Sequence, residues 1–538
     1  MNRSGIVKGV VYNPILHESF GALVFIENGK ILKIERDGNI KEPLILPGFI
    51  DSHVHIESSM LTPAQFGRTA AAHGTVAAVA DPHEIANVAG VEGINFMLSS
   101  AIESPIKLFF GAPSCVPASP FDECFQPFSP GIIKELIDRS DIFFLGEMMN
   151  FPGVIGGNAE VMEKINIAKS AGKPIDGHAP SLDKNDLKKY ISAGISTDHE
   201  SFTLEEAIDK LSFGMKVIIR EGSAAKNFDA LHSLIPQFHD NLMFCTDDCH
   251  PDDLIVGHIN KLVKKAINAG YNIFDILQVS SVNPVMHYNL NVGLLQPGDP
   301  ADFIVVDGLS SLNIISTYIN GDDVLKEPRP TTNVKIPTYT FPNSFDSNLL
   351  VKKLDTKRVK VIDVVKDELI TNWHVENSNT DLLEANPKED LLKIAVVSRY
   401  KKNEASVGLI RGFGINKGAI AASIAHDSHH IIAIGCDDNS ITQSINYIVK
   451  CGGGICYFDG DSIYGLPLPA FGLMTNESAE VAGKAYHELT QRVIADGCKL
   501  QAPFMTMSFM SLSVIPHLKI TPTSLFDVDK FSFTNICL

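Results

Sequence analysis

Long uninterrupted apolar runs are missing from this sequence: nowhere in its 538 residues does one reach the length a bilayer span needs. The first residues, MNRSGIVKGVVYNPILHES, interrupt their apolar runs with polar ones and lack the continuous core of a signal peptide. A cytoplasmic protein without a membrane partner is therefore the expectation. No lysine and arginine run of useful length occurs, and the formal net charge is −18. A nucleic acid or an anionic membrane surface would be repelled by such a chain. The nine cysteines form no CxxC pair, and this odd count suits reduced, mostly buried thiols. Internal repeats are also lacking beyond a β–α alternation, and there is no low-complexity segment.

What is present is enough chain for two or three domains, with an ordinary 45% of hydrophobic residues. SGIVKGVVYN and SFGALVFIENGKILKIE read as short strands, with Asn28-Gly29 as a hairpin turn. From LILPGFIDSHVH onward, eight short β runs end in polar residues: FIDSHVH, GTVAAVADPH, IKLFFGAP, IFFLGEM, KPIDGHA, ISTDHE, MKVIIREG and LMFCTDD. Helical stretches separate them, among them NAEVMEKINIAKSAG and TLEEAIDKLSFG, the second opened by a Thr203 cap with Glu206 three residues on. Eight β–α units in succession predict an α/β fold, a (β/α)8 TIM-like barrel over 47–287, with its chemistry at the C-terminal strand ends. Residues 1–46 plus 288–335 are expected to form a small flanking β-sandwich domain. A proline-rich connector, LKEPRPTTNVKIPTYTFP, leads to a C-terminal α+β domain over 345–538.

The residues that close those runs are ligand types. His53 and His55 stand on the first, Glu147 on the fourth, His178 on the fifth, His199 on the sixth and Asp247 on the eighth. In a strand, i and i+2 share a face, so His53 and His55 would present their imidazoles side by side. Each residue has a plainer reading. A lone barrel histidine is more often a hydrogen-bonded structural residue, Glu147 could be a helix N-terminal carboxylate, and Asp247 a turn residue. Four imidazoles and two carboxylates at one barrel mouth nevertheless exceed the needs of one tetrahedral ion, so two metals fit better. With no thiolate, Mn²⁺, Fe²⁺ and Zn²⁺ suit the set equally on chemistry alone.

PGFIDSHVHIESSMLTP, DPHEIANV, FLGEMMNFPGV, DGHAP, STDHES and TDD together resemble the bacterial adenine deaminases of the amidohydrolase superfamily. The likeness continues in GLIRGFGINKGAIAASIAHDSHHIIAIG and so covers most of the chain. It implies a barrel with a flanking β domain and a C-terminal domain. By analogy, His53, His55 and Asp247 would hold one ion, His178 and His199 the other, with Glu147 and a hydroxide bridging them. The resemblance favours Mn²⁺ and implies hydrolysis of adenine to hypoxanthine and ammonia, with Asp247 as the chosen proton shuttle. Another cyclic-amide or amidine hydrolase, or a non-catalytic barrel scaffold, are the rivals; the intact ligand set speaks against the second.

Asp81, His83 and Glu84 follow the second run and are candidates to bind the purine or relay protons, or else a turn and helix caps. Arg220 is a further candidate for the substrate pocket, or a plain ion pair. His426, Asp427, His429 and His430 in AHDSHH match no strong metal spacing and read better as a turn or packed loop. KCGGGICYF lacks the GK[ST] of a phosphate loop and reads as a tight turn. Cys245 and Cys249 read as packing residues. A homodimer is the default assembly.

Overall fold

The computed structural model describes residues 4–538 except 224, 327–335, 338, 342–344, 367 and 403. Most of the proline-rich connector therefore lies outside the described residues. The chain divides into two compact units. One comprises Met1–His83, Asn95–Cys115 and Phe128–Val334, and the other Glu84–Ile94, Val116–Pro127 and Lys335–Leu538.

In the first unit, β1 (Gly5–Asn13), β2 (Glu18–Glu27), β3 (Lys30–Arg36) and β4 (Leu44–Pro47) open the chain. The β2–β3 turn is Asn28-Gly29, both at positive φ (52° and 79°), as a two-residue hairpin that follows the strand twist requires. Far later, β13 (Phe303–Val306), β14 (Ile314–Ile319) and β15 (Asp322–Asp323) return to the same sheet, β13 pairing antiparallel with β4. Hydrogen bonds thus join both segments into one seven-stranded sheet, where the sequence suggests a sandwich. The alternating residues Val11, Ala22, Val24, Ile45, Phe303 and Val305 form its buried side.

Between these segments run eight parallel strands: β5 (Phe49–Val54), β6 (Thr75–Ala80), β7 (Lys107–Ala112), β8 (Ile142–Met148), β9 (Ile175–Gly177), β10 (Thr197–Asp198), β11 (Lys216–Arg220) and β12 (Leu242–Cys245). β5 to β9 pair in order, as do β10 to β12. Ser196 N donates to Ile175 O at 2.9 Å beside β9, and Val54 bridges Asp247 in parallel, so the order closes on itself. The runs are apolar without alternation because both faces are covered; all six residues of β6, TVAAVA, are buried. The outer helices show the complementary pattern. Ile259, Leu262, Val263 and Ala266 of helix Ile259–Asn268 recur at helical spacing and are fully buried against Phe244 and Val217. Burial of each of the Ile, Leu and Val side chains contributes about 1.5–3 kcal/mol on leaving water.

The second unit is built on an eight-stranded sheet with the order β17-β16-β19-β18-β21-β20-β22-β23. Its strands are β16 (Arg358–Val364), β17 (Thr371–Asn377), β18 (Leu391–Val397), β19 (Ala405–Arg411), β20 (Ala419–Ala422), β21 (Ile431–Gly435), β22 (Gly454–Phe458) and β23 (Ile463–Pro467). Helix Asp438–Cys451 crosses from β21 to β22 and ends in Gly452 and Gly453, at φ 71° and 120°. The KCGGG glycines thus make a tight turn, as read. Residues 84–94 and 116–127 pack within this unit: Phe121 lies edge-on to Phe531 and Phe533, and Tyr400 Oη donates to Asn87 O at 2.9 Å. Among the described residues no helix is long and apolar enough to cross a membrane.

Candidate metal centre

All six ligand-type residues expected at the strand ends converge in the first unit. His53 lies on β5 and His55 just beyond it, their Nε2 atoms 3.2 Å apart. His55 Nε2 is 3.1 Å from Asp247 Oδ1 and 3.2 Å from Glu147 Oε1; His53 Nε2 is 3.6 Å from Asp247 Oδ1. The other carboxylate oxygen of Glu147 meets the second pair, 2.8 Å from His178 Nδ1 and 3.3 Å from His199 Nε2. One glutamate thus offers one oxygen to each half of the set.

Local structure fixes these groups. His55 Nδ1 donates to Asp81 O at 3.0 Å, which leaves the Nε2 lone pair facing the cluster. The His53 and His199 rings stack with centroids 4.1 Å apart. Asp247 N donates to His53 O at 3.0 Å and His55 N to Asp247 O at 3.2 Å, tying Asp247 to β5 although it belongs to the end of β12. Asp51, two residues before His53, accepts from Thr246 N at 3.0 Å and from Thr246 Oγ1 at 2.5 Å. His258 Nε2 lies 3.0 Å from Asp51 Oδ2, and its Nδ1 is 2.7 Å from Thr75 Oγ1, so a buried chain supports the two strand ends from below.

The charges are balanced at short range. Burial pushes the Asp247 carboxyl up, but Arg220 and the imidazoles of His53 and His55 outweigh it and hold it well below the carboxylate range. Glu147 is held low in the same way, against burial, by His178, His199 and His55. Burial would lower His178, yet Glu200 and Glu147 raise it to about 9. His199 is lowered by burial and by His53.

The remaining candidates divide. Asp81 Oδ2 accepts from Glu147 N at 2.8 Å and so helps to place the glutamate, while its Oδ1 lies 3.8 Å from His83 Nδ1. His83 Nδ1 lies 3.4 Å from Glu147 Oε1, inside the cluster. Arg220 Nη1 binds Asp247 Oδ2 and, at 2.5 Å, Glu200 Oε1. Glu84 belongs to the other unit, where His426 and His429 take its carboxylate. Adjacency in DPHE groups it with Asp81 and His83 in the sequence. A helix start turns neighbouring side chains apart, and Glu84 follows the partners that neutralise it. Glu200 escaped the sequence reading. Its Oε1 is 3.6 Å from His199 Nε2 and 3.8 Å from His178 Nδ1, and its only sequence signal was adjacency to His199. Cys245 and Cys249 are buried with their thiols pushed up by burial, which fits packing.

The donor set fits divalent ions: converging imidazole nitrogens with lone pairs inward, two ionised carboxylates, and no thiolate. The profile of the amidohydrolase family matches residues 44–324, so the chain is an enzyme of that family, on a TIM-like barrel and using divalent metal. A second profile, the adenine deaminase C-terminal domain, matches 364–532. The adenine deaminase of Methanosarcina acetivorans is 46% identical, over 98% of each chain. That of Salinibacter ruber is 46% identical over 96% of this chain and 95% of its own, and that of Borreliella burgdorferi 45% over 96% and 97%. The chain belongs to the adenine deaminase family.

Proposed function

We infer that the chain catalyses the hydrolytic deamination of adenine to hypoxanthine and ammonia at the barrel cluster. The observation that carries this is one buried glutamate, Glu147, shared between a His53/His55/Asp247 group and a His178/His199 group, in a chain whose relatives over nearly full length are adenine deaminases. We propose two ions per chain, Mn²⁺ before Fe²⁺ or Zn²⁺: His53, His55 and Asp247 would hold one, His178 and His199 the other, with Glu147 common to both. When bound, such ions lower the pKa of water from 15.7 toward about 7 and so make hydroxide available at neutral pH.

The chain's own groups handle protons and position. Asp247 Oδ1 faces the imidazoles, while its Oδ2 is held by Arg220, so the carboxylate is fixed with one oxygen toward the reacting centre. It accepts the proton of the attacking water and returns it to the departing amine, because amide ion is too poor a leaving group to depart unprotonated. Arg220 we read as orienting Asp247 and Glu200 beside the substrate pocket. His83, beside Glu147, is the candidate to meet the ring nitrogens, and Asp81 acts through Glu147. The division into 1–46 plus 288–335, 47–287 and 345–538, a homodimeric state and a cytoplasmic location complete the reading. The separate family matches, to 44–324 and 364–532, support the boundary before the C-terminal domain.

The test is a substrate panel on purified, Mn²⁺-loaded protein, with ammonia release measured for adenine and other aminopurines and ring opening for hydantoin and dihydropyrimidine. Adenine is expected to be the best substrate. Opening of a cyclic amide with no turnover of adenine would overturn the reading.

A further inference from the structure

The second unit contains its own set of converging ligand atoms. Glu84 meets His426 and His429, 342 and 345 residues away in sequence, with all three side chains 2–4% exposed. One carboxylate oxygen faces His426 Nδ1 and the other faces His429 Nε2, and the ligand atoms all lie within 4.8 Å of one another.

The framework around them is rigid. The His426 ring stacks on Phe509 with centroids 4.7 Å apart. His429 N donates to Ala425 O at 2.6 Å, and its carbonyl accepts from Arg399 Nε. Arg399 is fully buried and spends its two terminal nitrogens on Phe471 O and Ser423 O, each at 2.9 Å. The loop between β20 and β21 thereby holds both imidazoles at fixed positions.

We propose that Glu84, His426 and His429 bind a further divalent first-row cation in the second unit. Two imidazoles and one carboxylate, without thiolate, form a donor set that suits Fe²⁺, Mn²⁺ or Zn²⁺ and leaves further coordination positions for water. A carboxylate out of water needs compensation, and a divalent ion held by the same three side chains supplies it. The Ala425 amide donates to His429 Nδ1 at 3.3 Å, which places the ring proton on Nε2, toward Glu84. Loading the site displaces that proton, as metal uptake by histidine does in general.

The competing arrangement is a purely hydrogen-bonded Glu84 clamp that takes no ion. Full-length protein is stripped with a chelator, refilled with Mn²⁺ and crystallised, and anomalous diffraction is collected at the manganese edge. A peak among the Glu84 carboxylate, His426 Nδ1 and His429 Nε2 is expected, and His429→Ala is expected to hold one ion fewer than wild type by elemental analysis. Absence of that peak when the barrel peaks are strong overturns the proposal, as does an unchanged ion count in a folded His429→Ala. Should that variant not fold, the wild-type map decides alone. A peak here with none in the barrel would support this site and contradict the two-ion reading above.

Discussion

Asp247 holds a φ of 57°, a region that a residue with a side chain visits at a cost, and two backbone bonds to β5 keep it there. That conformation brings its carboxylate to His53 and His55 while Arg220 grips the far oxygen. Asp247→Asn preserves the shape and one ligand oxygen but removes the proton acceptor. Its kcat for adenine should fall by about 10²–10⁴-fold with the manganese content near wild type. Near-normal turnover at full loading would show that another group moves the proton. Asp51 acts one step further out. Because it accepts both the amide and the hydroxyl of Thr246, Asp51→Asn turns a donor toward donors and loosens the Asp247 end of the cluster. Manganese affinity should drop roughly 10–100-fold, read by equilibrium dialysis, as for other supports of metal ligands. An unchanged affinity would assign Asp51 to strand pairing alone.

At the scale of strands and helices, Gly146 explains how β8 can deliver Glu147. A Cβ at this position would lie 2.3 Å from Asp81 Oδ2, the oxygen that receives the Glu147 amide. Gly146→Ala should therefore cost about 1–3 kcal/mol and reduce turnover, with a lowered melting temperature as the direct readout. A variant that melts and turns over like wild type would mean that Asp81 is free to move aside. These strand ends were legible in the sequence because parallel barrel strands are apolar on both faces, so each polar ending marks the mouth. The Thr203 cap was legible for a similar local reason, and Thr203 Oγ1 does accept from Glu206 N at 3.2 Å. Glu84 was not, since nothing near DPHE announces that its partners are His426 and His429. That the segments before and after the barrel share one β domain was legible, but spacing could not reveal that β13 would pair with β4 in a single sheet rather than a sandwich, because the two pair across the whole barrel in sequence.

For the molecule as a whole, buried charge away from the barrel also tells on stability. Lys519 on the strand Leu518–Ile520 is almost wholly buried, donates to Leu369 O at 2.9 Å, and burial depresses its ammonium from 10.5 to about 7. The unfolded chain takes up this proton more readily than the folded one, so the group penalises folding fully below about pH 7. The penalty fades as pH rises from about 7 to 10.5 and is gone above that. Lys519→Met should raise the melting temperature most at or below neutral pH, by a gain on the order of a few kcal/mol that shrinks toward pH 10. A gain independent of pH would show that the lysine is not buried charged. The acidic surface, the barrel and the profile matches fit one role for the whole chain, and its centre is the metal cluster. The most direct measurement is hypoxanthine formation from adenine by chelator-stripped protein before and after refilling with Mn²⁺. Stripped protein should be inactive and refilled protein should release hypoxanthine and ammonia in equal amounts. Equal turnover with and without metal, or none at full loading, would contradict the assignment of His53, His55, Glu147, His178, His199 and Asp247 to an adenine-deaminating metal centre.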